Sequence, residues 1–245
     1  MENPWEKVAE KWGNELDEYV LDGDKPVIED ILKVQESRKK KEKFELKFNL
    51  YPEPFIGKPK APIYLLNLNP GFSSKDYEDK LKIKNYVLKN YKHQYLGCPF
   101  YYLDSDLKET NGGKWWRKRF KNDLEKIKKE KSIKDDEAYK LIGEKIFCVE
   151  YFPYHSRNYD EIISRYIIKS QEYVRYLVKT AIARNTIFII MRSEKIWYKL
   201  VKELENYVIT SGRVFFCRDR QNPLINEEHI VKKEGFTLIK DVINN

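Results

Sequence analysis

Four apolar stretches, each bounded by turn-forming residues, punctuate the chain at Pro62 to Leu68, Lys145 to Phe152, Thr186 to Met191 and Arg213 to Cys217. Their apolar character runs on without alternation, which predicts strands buried on both faces. Between them the spacing turns helical. Helices are expected from Tyr77 to Tyr91, from about 116 to 131, from Tyr159 to Arg184, and from Glu194 to Asn206. Asn158 and Glu161 are spaced as a capping box. Strands alternating with helices predict an α/β fold, a three-layer α/β/α arrangement around a central four-stranded, mainly parallel sheet.

Ahead of the first strand, Trp5, Val8, Trp12, Leu16 and Val20 follow a helical period that Asp22-Gly23-Asp24 ends. A second helix is expected from Pro26 to about Lys40, so residues 1 to about 50 read as an N-terminal helical extension. Tyr51-Pro52-Glu53-Pro54 then breaks regular structure. Gly112-Gly113 marks a mobile loop, and the segment from Gly235 to Val242 fits either a short strand or a helix. No linker divides the 245 residues, which read as a single domain.

Composition narrows the class. Charged residues make up 35% of the chain, hydrophobic ones 41% and aromatic ones 14%, too apolar and aromatic for disorder. No run approaches the length of a membrane span and Met1-Glu2-Asn3-Pro4-Trp5 carries no signal pattern, so a cytoplasmic protein without a membrane partner is expected. Cys98, Cys148 and Cys217 lack Cys-x-x-Cys spacing, and His93, His155 and His229 are too few for a multi-histidine site; neither a disulfide framework nor a metal site is supported. No cofactor is implied.

The net charge is +8, and its distribution points to an acidic partner. From Trp115 to Lys134 there are nine Lys or Arg against three Asp or Glu. Within this stretch Trp115, Trp116, Arg117, Lys118 and Arg119 bring planar and cationic groups together, as stacking and phosphate contacts require. Trp116, Phe120, Leu124 and Ile127 also recur at helical spacing, so the stretch reads as a helix with an apolar stripe inward and a basic face available. A second basic run, Arg38-Lys39-Lys40-Lys41, reads as a solvated helix end.

Parallel strands bring their carboxyl ends to one edge, where ligands bind in open α/β sheets. Three loops leave the strands there. The first carries Asn69-Pro70-Gly71, in which Pro70 fixes its own φ and Gly71 allows positive φ or close approach of a ligand. Phe72 follows, placed either to stack on a flat ligand or to enter the core. The second carries Tyr154 and His155, the latter a donor, a general acid, a phosphate contact or a structural cap. The third carries Asn222 and Pro223. A Gly-x-Gly-x-x-Gly is absent, Gly71-Phe72-Ser73-Ser74-Lys75 is too short for a phosphate-binding loop, and no Gly-x-Ser-x-Gly elbow occurs.

Leu66-Asn67-Leu68-Asn69-Pro70-Gly71 resembles the first motif of the uracil-DNA glycosylase superfamily, a Gly-x-Asp/Asn-Pro-Gly/Tyr turn after the first strand. Asn69 falls on the Asp/Asn position, as in the branches with Asn there, while Asn67 replaces the first Gly. Arg213 to Cys217, followed by Asn222-Pro223-Leu224, resembles the second motif, a strand running into a His/Asn-Pro-Ser loop; Leu224 stands where Ser is usual. The resemblance implies a uracil-DNA glycosylase-like fold and hydrolysis of an N-glycosidic bond, with Asn69 holding a water, Asn222 facing the departing base and Phe72 stacking on it. Glu150 lies near the superfamily's base-reading Asn and would favour an amino donor over a carbonyl. The expected partner is nucleic acid, DNA rather than RNA. Two rivals are a nucleic-acid-binding protein that keeps the cleft without the chemistry, and a small-nucleotide hydrolase or sensor.

Overall fold

The computed structural model describes residues 1–14, 16–37, 41–231 and 233–244. Arg38, Lys39 and Lys40 of the second basic run lie outside them.

The apolar stretches become β2 (Ile63–Asn67), β3 (Ile146–Glu150), β4 (Ile187–Ile190) and β5 (Val214–Phe216), joined by a short β1 (Phe55–Gly57). The sheet therefore has five strands, not four, in the order β1-β3-β2-β4-β5. β2 through β5 pair in parallel, and β1 pairs antiparallel with β3. Four residues between Pro54 and Pro59 are too few to announce a strand, so β1 was invisible in the sequence. Every residue of β2, β3 and β4 is buried, as a sheet covered on both faces requires. From β2 the chain crosses to β3 on one side and later to β4 on the other, which makes the carboxyl end of β2 the switch point of the sheet.

The N-terminal segment is less helical than its period suggests. Among its described residues, only α1 (Pro4–Val8) and a 3-10 turn at Lys11–Gly13 form before Asp22, and Tyr19 N–H donates to Phe48 C=O at 2.7 Å. Aromatic packing overrides the period. Trp5 lies 6.1 Å from Trp12 and 5.6 Å from Tyr91, and Trp12 lies 5.7 Å from Tyr19. These rings belong to the same hydrophobic core as the sheet. Next, α2 (Lys25–Glu36) begins at buried Asp24, whose carboxylate accepts from Ser170 N–H and Oγ and from the Tyr154 hydroxyl.

α3 (Lys75–Tyr91) follows β2, and α4 (Asn111–Lys131) and α5 (Asp135–Lys145) lead into β3. The expected long helix after β3 is instead a 3-10 turn, Glu161–Arg165, and α6 (Gln171–Ala183). Ile162, Ile163 and Ile168 are all buried, a set no single helical face can hold. Asp160, not Asn158, caps the turn by accepting from Ile162 N–H. After β4 the chain breaks at buried, extended Val201 into α7 (Glu194–Leu200) and α8 (Lys202–Ser211). α9 (Lys233–Asn244) shows the C-terminal segment to be helical.

Gly112 and Gly113 are not a mobile loop; they form the first turn of α4. Thr110 Oγ1 caps that turn by accepting from Gly113 N–H at 3.0 Å. A Cβ on Gly113 would sit 2.0 Å from Leu107 O, and one on Gly112 would sit 2.2 Å from the Tyr102 ring. Close backbone approach, not conformational freedom, demands these glycines. Gly113→Ala should destabilise the protein by about 1–3 kcal/mol through forced backbone displacement. A thermal melt that leaves the midpoint unchanged would contradict that tight approach.

Candidate functional site

β2 and β3 end on polar residues after apolar runs, and their parallel register places Asn67 opposite Glu150. Both are buried. Asn67 Nδ2 donates to Glu150 Oε1 at 3.0 Å, which leaves Glu150 Oε2 and Asn67 Oδ1 buried with no hydrogen-bond partner. The two residues line a cavity of about 330 Å³ at the switch point, together with Asn69, Gly71, Phe72, Trp115, His155 and Arg192. Burial pushes the Glu150 carboxyl up to about 8; the Asn67 hydrogen bond opposes the shift, Glu53 adds to it and Arg192 opposes it.

Asn69, 5% exposed, ties the first loop to the second. Its Nδ2 donates to Ser156 Oγ at 2.9 Å and Pro70 O at 3.0 Å, and reaches Tyr154 O at 3.4 Å. Its Oδ1 is left as an acceptor. Pro70 lines the same cavity. Gly71 has no positive φ, and a Cβ there would meet nothing within 4 Å, so its turn does not depend on glycine. Phe72 is half-buried at the cavity wall, edge-on to Tyr77 at 5.3 Å.

His155 lines the cavity but is held by the backbone. Nδ1 lies 2.8 Å from Gly71 O and Nε2 lies 3.0 Å from Tyr51 O. A neutral imidazole has one N–H for these two acceptors, whereas an imidazolium serves both. Glu53 Oε1 stands 4.0 Å from Nε2 and also accepts from the Tyr102 hydroxyl. Burial raises the Glu53 carboxyl, and the His155 charge opposes that rise. Both ring nitrogens lie within hydrogen-bond distance of backbone carbonyls, so His155 ties the Gly71 turn to the segment at Tyr51.

Three expected site residues lie elsewhere. The Tyr154 hydroxyl donates to Asp24 Oδ2 at 2.8 Å, so its ring points into the N-terminal aromatic cluster; only its carbonyl meets Asn69. Asn222 shares the sheet edge but does not line the cavity. Its Oδ1 accepts from Arg119 at 3.1 Å, and its N–H is held by Asp219. Pro223 is buried beside it.

The basic aromatic row does not form one solvent face. Trp116 is buried with Phe120, Leu124 and Ile127, the inward stripe that the spacing predicts. The Arg117 guanidinium lies 4.1 Å from the Tyr139 ring centroid and donates to Leu103 O and Asp104 O. Arg119 is 5% exposed and stacks 3.5 Å above half-buried Trp115. Burial and the neighbouring Arg192 charge bring Arg119 down to about 10. Of the three cations in the row, only Lys118 is exposed.

Several lining residues went unread in the sequence. Asp76 accepts from Ser73 N–H and Asn111 Nδ2, so the starts of α3 and α4 are joined beside the cavity. Arg157 and Arg192, with Asn69 and Gly71, also line an adjoining hollow of about 1010 Å³. Arg192 Nε is buried without a partner, and Arg157 is exposed. Another hollow, of about 420 Å³ along α3 near Leu88 and Lys92, contains no unpartnered buried side chain and offers no comparable chemistry. Cys98, Cys148 and Cys217 are free and buried, with thiols raised by desolvation. Among the described residues no cluster of three or more His, Cys, Asp or Glu could hold a metal ion, and no helix is long and apolar enough to cross a membrane.

The chain matches no family model, no curated protein and no solved structure.

A neutral Glu150 carboxyl contributes stability that is fully present below the unfolded-chain value of 4.5 and is lost as pH rises through about 8. Glu150→Gln keeps the shape and cannot ionise. The variant should match wild type in melting temperature at pH below the unfolded-chain value and exceed it increasingly as the pH approaches 8. Parallel melting curves across that range would show that Glu150 is ionised in the fold.

Proposed function

We propose that the cavity at the carboxyl ends of β2 and β3 receives a nucleobase carried by a nucleic acid, and that the protein hydrolyses the N-glycosidic bond of that base. One observation carries the reading: an adjacent carboxamide and carboxyl, each with one unpartnered buried atom, line a cavity whose walls include Phe72 and Trp115. Such polar groups lose free energy unless a ligand completes them, and flat aromatic walls suit a flat heterocycle. The cavity volume of about 330 Å³ is in keeping with a single base. Arg157 and Arg192, shared with the adjoining hollow, supply positive charge where a sugar-phosphate chain would leave the cavity. A uracil-DNA glycosylase-like three-layer fold agrees with the parallel β2–β5 and with the Asn69 turn at the switch point.

In this reading Asn69 Oδ1 accepts a hydrogen bond from the attacking water, while Ser156 fixes the other end of the carboxamide. Asn cannot take the proton, so turnover is slow. Binding without hydrolysis is the rival reading, favoured by the absence of a carboxylate at position 69 and by the removal of Asn222 from the cavity.

Base release from single- and double-stranded DNA containing uracil, hypoxanthine or mismatches separates the two. Asn69→Asp, which supplies a proton acceptor in nearly the same shape, should speed release by tenfold or more on the order of general-base effects. Asn69→Ala should abolish release and cost about 1–2 kcal/mol of stability through its lost loop contacts. Arg157→Ala with Arg192→Ala should weaken DNA binding and reduce the log-log salt slope by roughly one per lost phosphate contact. Retained binding with no release from any variant would leave the binding reading; absence of both would remove the proposal.

A further inference from the structure

We infer that Glu150 acts as a neutral hydrogen donor and that, with the Asn67 carbonyl oxygen, it reads a base edge presenting a hydrogen acceptor beside a donor; this rests on the base-binding reading above. A carboxylate at this depth would need several donors to replace its lost hydration. Glu150 has one conventional donor, Asn67 Nδ2 on Oε1, supplemented by the Cys148 thiol at 3.8 Å from the same oxygen. Oε2 has none.

The charged and titratable groups bearing on Glu150 come from each neighbouring element. Cys148 lies on its own strand, the Glu53 carboxyl precedes β1, and Arg192 follows β4. Cys148, like Glu53, is raised by desolvation, so neither offers Glu150 a compensating positive charge. His155 is turned to Glu53 and two carbonyls. Arg192 alone among them supplies positive charge, itself weakened by burial.

Since Oε1 already receives an N–H, the carboxyl proton belongs on Oε2. The same hydrogen bond uses Asn67 Nδ2, so the atom that Asn67 offers is an acceptor, Oδ1. The pair therefore presents a donor and an acceptor side by side, held apart by strand register. The complementary edge carries an N–H next to a lone pair, as the exocyclic amine and adjacent ring nitrogen of cytosine or adenine do. If Glu150 ionised, both atoms would be acceptors and the lone pair of the base would face an anion.

Calorimetric titration of the full chain with deoxycytidine and deoxyadenosine tests this, at about pH 6.5 and about pH 9, where neither nucleoside titrates. With a carboxyl raised to about 8, wild-type affinity should fall roughly tenfold between the two conditions. Glu150→Gln carries a permanent N–H donor in place of the acid O–H. It should bind with the low-pH wild-type affinity at both values, while Glu150→Ala should bind weakly at both. A wild-type affinity that is flat or rises with pH, or a Gln variant as weak as the Ala variant, overturns the inference while leaving base binding intact. Should deoxyuridine or deoxyinosine bind while deoxycytidine and deoxyadenosine do not, the inference falls and base binding stands; should none of the four, nor a single-stranded oligonucleotide containing them, bind, the base-binding reading falls and takes the inference with it.

Discussion

Asn67 and Glu150 meet because β2 and β3 run parallel with these two residues as register partners, and the carboxyl edge of the sheet is organised around that pairing. A slip of one residue would set Leu66 or Leu68 against Glu150 and turn the strand side chains to opposite faces. A buried carboxyl would then lose its amide partner. The register is held by apolar residues on both faces of both strands, so the energy that fixes the polar pair comes from the core beneath it. Unpartnered buried polar atoms cost about 1–3 kcal/mol each. Two of them on neighbouring strand ends are a local expense that the extensive aromatic and aliphatic core can sustain.

The sheet and its switch point were legible in the sequence because burial on both faces forces continuous apolar runs, and few other arrangements produce four of them at these spacings. The Asn69 turn was legible for the same reason: a polar residue with Pro and Gly directly after such a run marks the strand end. The ends of β2 and β3 also show the Asn67 and Glu150 positions, although only their register reveals that they touch. Glu53, Tyr102 and Arg192 were not legible. They come from a loop, a 3-10 turn and a strand exit, and only tertiary packing brings them to the cavity. The direction of Tyr154 and the withdrawal of Asn222 were hidden similarly, since their partners, Asp24 and Arg119, are remote in the chain.

The basic helix shows why charge counting misleads at residue level. A planar group beside a cation is what a nucleic acid would meet, and it is also what a protein uses to bury a guanidinium. Arg117 over Tyr139 and Arg119 over Trp115 are internal versions of that contact. The Arg119 stack has a second effect. It joins α4 to the loop after β5 through Asn222, so the wall of the cavity that includes Trp115 is braced from outside the cavity.

The lining of the cavity comes from segments spread between Glu53 and Arg192, including the ends of three strands and the starts of two helices. No single strand, helix or loop contains the set, so the site exists only once the sheet has closed and α3 and α4 have docked. A ligand of this cavity can therefore bind the native state and has no comparable place on the unfolded chain. Mass action then makes occupancy a stabilising force that grows with the logarithm of ligand concentration, about 2.7 kcal/mol at a hundredfold excess over the dissociation constant. The protein's resistance to unfolding would thus rise and fall with the supply of any ligand that fills the cavity.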